Sequence, residues 1–213
     1  MFKPFKGFNS KGFLLLYLVV IVIMLTAWLS RLEFSQPDTR NIPASLKPFL
    51  LSPARELPQF LLYDNEKQVL TNQSFKQHWS FVYFSHPQCQ PQCEAILEVL
   101  DNLKRYFAAA DMQFLMINFD ASLQTDLSPA SAHRVSSLPL YYGEQATIDQ
   151  LTQAFGFLYL RTELETGYQL EQQHDIYLLD PKGRVYARFE PPFTSMLLQQ
   201  RFFAIRSFYA RTE

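Results

Sequence analysis

The two cysteines of this chain are the residues whose type and spacing are best suited to chemistry. Cys89 and Cys93 have three residues between them in the stretch WSFVYFSHPQCQPQCEAILEVL, residues 79–100. The apolar run at residues 81–84 favours a β-strand, and the apolar residues that follow the cysteines recur at the spacing of one helical face. The sequence therefore predicts both thiols at or just before a helix N-terminus, where the helix dipole favours a thiolate over a thiol.

Three further side chains could act together with the thiols. His174 precedes an apolar segment, and it is either a partner of the thiols or an ordinary strand-end histidine. His86 is either an additional ligand or accessory base, or a turn residue exposed beside the site. Asp120 ends the apolar run MQFLMINFD, so it is expected at the carboxyl end of a buried strand, where such sheets place functional groups. A helix or turn cap is an equal alternative for Asp120.

The hydrophobic pattern indicates the elements that position these residues. Strands joined through helices must run parallel, whereas the DPKG turn makes an antiparallel pair, so the order predicts an α/β fold with a central mixed sheet flanked by helices. The predicted elements are a hairpin at 57–70, a short helix at 72–78, strands at 81–84, 112–120, 175–179 and 184–190, a helix after Cys93, helices at 147–157 (Thr147 as N-cap) and 194–209, and a surface loop at 121–142. The predicted core includes Phe81, Tyr83, Leu97, Leu100, Phe114, Leu115, Ile117, Leu178 and Phe189.

An uncharged apolar stretch near the N-terminus predicts a membrane anchor. Residues 12–30 carry no charged side chain, and as a helix they would span roughly 28 Å, close to the hydrocarbon thickness of a bilayer. Three lysines precede the stretch and predict a cytoplasmic N-terminus. A cleaved signal peptide is the competing interpretation, but no small-residue cleavage site follows. The expected organisation is a cytoplasmic N-terminus (1–12), a transmembrane anchor (13–30), a Pro-rich tether (31–56) and one globular domain (57–213).

Composition excludes several classes of function. The formal net charge of -1 provides no basic surface for nucleic acid. Six glycines in the whole chain are too few for the Gly-rich phosphate loops of nucleotide enzymes. With 48% hydrophobic residues the chain can still build an ordinary packed core, so one domain and its N-terminal appendage are expected.

These motifs resemble the Sco/SenC family, which are membrane-anchored, thioredoxin-like copper proteins that serve cytochrome c oxidase assembly. The resemblance rests on VYFSHPQCQPQC, on NFD ending in Asp120, on HDIYLLDPKGRVYARFEPP, and on the anchor and tether, and it covers residues 57–209. It implies a thioredoxin-like fold and copper, as Cu(I) or Cu(II), held by Cys89, Cys93 and His174. His86 and Asp120 are accessory candidates. Two thiolates and an imidazole suit the soft Cu(I) ion better than any hard ion.

The chain departs from the family pattern at two places. Gln90 stands where the family usually has a proline after the first cysteine. Counted back from Asp180, the family's ligand histidine falls on Gln172, two residues before His174. Two residues along a strand keep a side chain on the same face but move it about 6.6 Å. Either the loop before the strand is two residues shorter and His174 still reaches the thiols, or the ligand has been lost. The first alternative is favoured, because a shift of two residues keeps the side chain on the same face of the strand.

The resemblance implies a metallochaperone rather than an enzyme in the strict sense. It would deliver copper or reducing equivalents to the binuclear copper site of cytochrome c oxidase subunit II, or to another copper or thiol client. With the anchor, this implies a single-pass protein of a bacterial-type inner membrane whose domain faces the periplasm. A periplasmic thiol-disulfide reductase without obligatory metal is the second hypothesis. A purely structural disulfide is a further alternative, but it would close so short a loop that it would add only about 2 kcal/mol of stability. A redox or copper sensor that signals through the anchor is less supported, because few residues precede the anchor.

Overall fold

The computed structural model of the chain describes residues 10–31, 41–86, 89, 93–110, 112–121 and 137–213. The chain divides into two compact units, Met1–Thr39 and Arg40–Glu213. Most of the predicted cytoplasmic segment (1–9), part of the predicted tether (32–40) and most of the predicted surface loop (122–136) lie outside the described residues.

The described part of the first unit is helix α1 (Ser10–Arg31). Its described side chains are those of residues 16–26, and the large apolar ones among them are exposed. Within the part of the chain that the structure describes, no helix is both long enough and apolar enough to cross a membrane. The anchor at residues 13–30 stays a prediction.

The second unit is built from ten strands and three α-helices within its described residues. In chain order they are β1 (Leu50–Arg55), β2 (Leu61–Tyr63), β3 (Val69–Thr71), a 3₁₀ turn (Asn72–Phe75), β4 (Trp79–Ser85), α2 (Glu94–Tyr106), β5 (Met112–Asn118), β6 (Leu140–Tyr141), α3 (Gln145–Phe155), β7 (Tyr159–Glu163), β8 (Tyr168–Gln172), β9 (Ile176–Leu179), β10 (Val185–Phe189) and α4 (Ser195–Thr212).

A six-stranded mixed sheet forms the centre of this unit, in the order β1-β10-β9-β4-β5-β6. β4, β5 and β6 are parallel, and the other neighbours are antiparallel. Helix α2 provides the crossover that the parallel pair β4–β5 requires. Asp180 shapes the predicted tight turn between β9 and β10, because its carboxylate accepts hydrogen bonds from the backbone N–H groups of Lys182 (3.0 Å) and Arg184 (2.9 Å). The predicted α/β fold with a mixed central sheet is confirmed.

Apolar side chains cover both faces of the central strand β4, all of whose residues are buried. Phe81 and Tyr83 lie in the cluster that contains residues of α2 and α4, and Val82 and Phe84 lie in the cluster that contains residues of α3. All nine predicted core residues are buried, as expected. The alternation along β4 also places Tyr83 in the same cluster as both cysteines, and this proximity determines the geometry of the site.

Two strands lie in segments that the sequence pattern assigned to the tether and to the loop. β1 contains Pro53 but forms the edge of the sheet, where a proline that cannot donate to the ladder is tolerated. β6 lies inside the predicted loop 121–142 and is only two residues long, too short to show a periodic pattern. The sheet therefore begins at Leu50, seven residues before the predicted start of the domain.

A second hairpin, β7–β8, lies around Gly167, in a segment where the sequence pattern predicts neither a helix nor a strand. Most of its side chains are exposed or half-buried, so the run of buried apolar residues that marks a strand is missing. Gly167 adopts a φ of 86°, a left-handed conformation that favours glycine, between the two strands. Three side chains of this hairpin matter below: Gln172 contacts Tyr83, and Arg161 and Tyr168 contact Asp120.

The helix ends agree with the prediction in one case and differ in another. Thr194 is the N-cap of α4, where its hydroxyl accepts a hydrogen bond from the backbone N–H of Leu197 (3.2 Å). Thr147 is not the N-cap of α3, because the helix begins after Glu144 and the backbone N–H of Thr147 already donates to the Glu144 carbonyl. Gly156 ends α3 in the left-handed conformation.

Candidate metal centre

Cys89 and Cys93 lie where β4 leads into α2, which is the predicted position. The backbone N–H of Cys89 donates to the carbonyl of His86 (3.1 Å), and Cys93 is the N-cap residue of α2. The two cysteines form a disulfide with their Cα atoms 5.6 Å apart. Both side chains are buried, 5% and 1% exposed. The thiol pair is therefore held at a helix N-terminus and is largely shielded from solvent.

His174 lies beside the two sulfurs, in the connection between β8 and β9. The sulfur atoms of Cys89 and Cys93 and a ring nitrogen of His174 all lie within 4.8 Å of one another. Among the described residues, this is the one group of three histidine, cysteine or carboxylate side chains that could hold a metal ion. Of the two outcomes that the sequence left open, the structure has the one in which His174 reaches the thiols.

The phenol of Tyr83 lies between His174 and Cys93. Its oxygen is 2.9 Å from Nδ1 of His174 and 3.1 Å from Sγ of Cys93. Gln172, at the end of β8, donates from Nε2 to the same oxygen (3.2 Å) and to the Phe84 carbonyl (2.8 Å). Burial raises the pKa of Tyr83, so the phenol keeps its proton at neutral pH. The sequence marked Tyr83 only as a core residue, because its hydroxyl contacts depend on residues far away in the chain.

His86 lies at the end of β4 but outside the group of three metal-binding side chains. It is 6% exposed, and its ring packs edge-on against Phe119 with the centroids 5.2 Å apart. Burial lowers the pKa of His86 to about 4, while the Asp120 carboxylate acts in the opposite direction and His174 lowers the pKa further. His86 is therefore neutral at pH 7, and the expectation of an exposed turn residue is wrong.

Asp120 lies just past β5, where the β7–β8 hairpin holds it. Tyr168 donates its hydroxyl to Oδ2 of Asp120 (2.5 Å), and the Arg161 guanidinium lies 4.0 Å from Oδ1. The same guanidinium stacks over the Tyr168 ring, 3.7 Å from its centroid. Asp120 is 4% exposed and lines a cavity of about 550 Å³ between β5, α3 and this hairpin. It therefore ties the hairpin to the carboxyl end of β5 and is not part of the Cys–Cys–His group.

A mixed sheet flanked by helices, with a thiol pair at the junction of a parallel strand and its helix, defines a thioredoxin-like α/β domain. The histidine beside the thiols adds a candidate metal site to that class of protein. The family model described as SCO1/SenC matches residues 51–201. The chain belongs to the SCO1/SenC family.

Known proteins resemble this chain in sequence or in fold. A Stutzerimonas stutzeri protein, provisionally named a copper-binding protein, is 23% identical over 150 residues, which cover 67% of this chain and 73% of that protein. Yeast Sco1 with copper bound has a TM-score of 0.59 at 16% identity, over 70% of this chain and 87% of that chain. BsSco, described with a disulfide switch and as a member of the Sco family of cytochrome c oxidase assembly proteins, has a TM-score of 0.51 at 17% identity, over 64% of this chain and 83% of that chain.

Proposed function

We propose that the domain binds one copper ion through Cys89, Cys93 and His174 and passes it to a client protein. The observation that carries this proposal is the convergence of two sulfurs and one ring nitrogen within 4.8 Å. Copper is the cargo of this site and has to be both bound and released. The Cys89–Cys93 disulfide must be reduced first, because a disulfide sulfur is a poor ligand compared with a thiolate.

The donor set fits copper better than it fits a hard ion. Thiolate and imidazole are soft or borderline ligands that suit Cu(I), whereas magnesium and calcium need several oxygens. Asp120, the carboxylate that the sequence offered as an accessory ligand, is engaged by Tyr168 instead. Burial lowers the pKa of His174, so its imidazole is neutral at pH 7 and has a lone pair to offer. Copper-bound yeast Sco1 and the Stutzerimonas stutzeri relative support the choice of metal.

A Cu(I) competition titration against a chromophoric chelator tests the proposed site on the reduced full chain in detergent. Cys89→Ser or Cys93→Ser should abolish tight binding, because one remaining thiolate cannot chelate the ion. His174→Ala should weaken binding by at least about tenfold, or 1.4 kcal/mol. His86→Ala is the matched control, since it removes a nearby histidine outside the group of three, and it should change the affinity less. An unchanged affinity in His174→Ala contradicts the three-ligand site.

The proposed client is the binuclear copper site of cytochrome c oxidase subunit II, or another copper or thiol protein. Family membership and the description of BsSco support this choice. Mixing the copper-loaded chain with the soluble domain of subunit II should produce the visible absorption of the binuclear site. Absence of that absorption, while the loaded chain keeps its copper, argues for a different client.

The proposal also includes a single-pass inner-membrane location with the domain in the periplasm. It is supported by the uncharged residues 12–30, the lysines before them, and the exposed apolar side chains of α1. An alkaline phosphatase fused after Glu213 should be active in cells. Activity of a cytoplasmic reporter at the same position, with an inactive phosphatase, contradicts this orientation.

A thiol-disulfide reductase is the second candidate, favoured by the bonded state of Cys89 and Cys93. In that reaction the two reduced thiols form their disulfide while the S–S bond of the client breaks and takes up the two electrons and two protons. The assay is reduction of a disulfide peptide by the reduced, metal-free chain with a copper chelator present. Rapid reduction that needs both cysteines, combined with an unchanged Cu(I) affinity in His174→Ala, favours the reductase.

A further inference from the structure

Two exposed aromatic side chains from different helices meet on the surface of the second unit. Tyr106, the last residue of α2, is 57% exposed, and Phe203 of α4 is 45% exposed. Their rings pack edge-on with the centroids 6.5 Å apart, and Phe203 also packs against the buried ring of Phe107 at 5.7 Å. Three exposed alanines follow at residues 108–110. Single exposed apolar residues are ordinary, whereas a contiguous exposed apolar patch is typical of a binding surface.

The charged residues next to this aromatic pair are basic. Arg105 precedes Tyr106 in the last turn of α2 and is exposed. Arg206 is exposed on α4 three residues after Phe203, and residues at this spacing are neighbours on a helix surface. Helix α4 carries three arginines and no acidic residue, although residues 41–213 as a whole contain 18 acidic and 14 basic side chains. Tyr106, Phe203, Arg105 and Arg206 therefore form an aromatic–basic face on an acidic domain.

No carboxylate among the described residues neutralises the two arginines of this face. Arg105 donates to a neutral side-chain amide within α2, and the ion pairs of the described residues include neither Arg105 nor Arg206. Asp101, the acidic residue of α2 nearest to Arg105 in sequence, accepts a hydrogen bond from the hydroxyl of Ser137 (2.8 Å). The next acidic residue, Asp111, lies outside the described residues. Both positive charges are therefore available to an anionic surface.

Aromatic rings beside basic side chains fit the interface of an anionic bilayer. Tyrosine is enriched at the headgroup level of membranes, and each basic residue near an anionic surface favours binding by about fivefold. An acidic protein would have the same charge, but a bilayer is favoured because the proposed anchor at residues 13–30 holds the chain at one. A tether makes the second contact intramolecular, so a weak affinity for the surface is sufficient.

The chain enters the domain on the side of the sheet that carries α2 and α4. Ile42 and Phe49 pack against the core cluster that contains residues of these two helices. The guanidinium of Arg201 in α4 lies over the ring of Phe49, 4.8 Å from its centroid. The proposed tether therefore joins the domain on the same side of the sheet as the aromatic–basic face.

We propose that the aromatic–basic face docks the domain onto an anionic bilayer surface, with Tyr106 and Phe203 at the headgroup level and Arg105 and Arg206 against the anionic headgroups. This inference rests on the proposed membrane location. Cys93, the N-cap residue of α2, lies at the opposite end of this 13-residue helix from Tyr106. A helix of that length separates its two ends by about 20 Å. Docking at the Tyr106 end therefore leaves the thiol end of α2 accessible to a client.

Nitroxide accessibility in lipid nanodiscs tests this docking on the oxidised full chain. Because Cys89 and Cys93 form a disulfide, Ala204→Cys provides the only reactive thiol, at an exposed position beside Phe203. Collisions of the attached label with oxygen report contact with lipid, and collisions with a water-soluble nickel chelate report contact with water. One labelled chain per disc is compared in phosphatidylcholine with and without phosphatidylglycerol. Nickel collisions should fall by at least about fivefold when phosphatidylglycerol is present.

A second label position and two pairs of charge variants are the controls. Thr162→Cys, exposed on β7, should show the same nickel collisions in both kinds of disc. Arg105→Gln combined with Arg206→Gln should weaken docking of the Ala204→Cys chain by about fivefold per charge. Lys67→Gln combined with Lys76→Gln removes the same charge from exposed positions outside the face, and it should leave docking unchanged.

Equal accessibility of the label at position 204 in both kinds of disc overturns the proposal, and so does equal lipid contact at positions 162 and 204. Protection of position 204 that requires two chains per disc, and not anionic lipid, makes a second copy the occupant and also overturns it. The comparison of lipids needs no substitution within the face, so it decides the matter even if the charge variants do not fold.

A separate label reports on the proposed anchor. Met24→Cys places the nitroxide at an exposed position of α1. A label at position 24 that stays in water contradicts the anchor, whereas the label at position 204 still decides the docking of the domain. Failure of the proposed membrane location and failure of this inference are therefore distinguishable.

Discussion

Acidification should destabilise the domain through His86, and His86→Phe should remove that share of the pH dependence. His86 is buried against Phe119, and burial lowers its pKa to about 4. In the unfolded chain a histidine titrates near 6.5. Because the native state binds the proton more weakly than the unfolded state, this contribution to stability is complete above about pH 6.5 and is lost as the pH falls toward 4.

The size of the effect follows from the two pKa values. At 1.36 kcal/mol per pKa unit, a displacement from 6.5 to about 4 corresponds to about 3 kcal/mol of unfolding free energy. We expect a loss of about 2–3 kcal/mol between pH 7 and pH 4, a large part of the 5–15 kcal/mol that stabilises ordinary domains. His174 adds a loss of the same sign, because burial lowers its pKa as well.

The assay is urea unfolding of the oxidised, metal-free full chain in detergent at pH values from 4 to 7. A Trp28→Phe background leaves Trp79, buried in β4, as the single tryptophan reporter. His86→Phe keeps an aromatic ring against Phe119 and removes a buried ring nitrogen that has no hydrogen-bond partner among the described residues. At pH 7 this variant should be as stable as the wild type or more so. His174→Ala, alone and combined with His86→Phe, separates the two imidazoles.

Two results are incompatible with this reasoning. An equal loss of unfolding free energy in wild type and His86→Phe between pH 7 and 4 shows that other groups carry the acid sensitivity. A wild type that becomes more stable on acidification shows that the native state binds the proton more tightly, which is the opposite of what burial of His86 requires.

Three further predictions concern the surroundings of the site. Gln172→His in a His174→Ala background should restore the Cu(I) affinity to within about tenfold of wild type in the competition titration. The reason is that residues 172 and 174 contact the same oxygen, the hydroxyl of Tyr83. No recovery contradicts the inference that both positions reach the site. Tyr168→Phe should lower the unfolding free energy by about 1–2 kcal/mol and increase amide hydrogen exchange in β7 and β8, since it removes the hydrogen bond to Asp120. Unchanged exchange in these two strands refutes the anchoring role of that hydrogen bond. Asp180→Ala should lower the unfolding free energy by about 3 kcal/mol, measured as a fall of about 8 °C in Tm, because it removes the fully buried carboxylate that pairs with Arg184 and leaves that guanidinium only Glu213. A fall of less than about 2 °C is incompatible with this role of the ion pair.

Local patterns in the sequence were sufficient for the four inner strands of the central sheet, β10, β9, β4 and β5, and for the position of the thiols. Strands buried on both faces, such as β4 and β5, read as continuous apolar runs, and the amphipathic α2 repeats its apolar residues at helical spacing. The strands β1, β6, β7 and β8 were not predicted, because each of them departs from the usual sequence pattern of a strand. β1 contains a proline, β6 has two residues, and the β7–β8 hairpin exposes most of its side chains.

The sequence by itself determined the chemistry that is available, namely two thiols at a strand-to-helix junction and a histidine before a buried strand. Only the tertiary structure decided that His174 lies at the thiols beside Gln172, that His86 is buried, and that Tyr83 contacts both His174 and Cys93. Tyr83 and His174 are 91 residues apart in the chain. The periodicity of a segment predicts which face of that segment is buried, whereas a contact between two segments depends on strand order and register, which no single segment encodes.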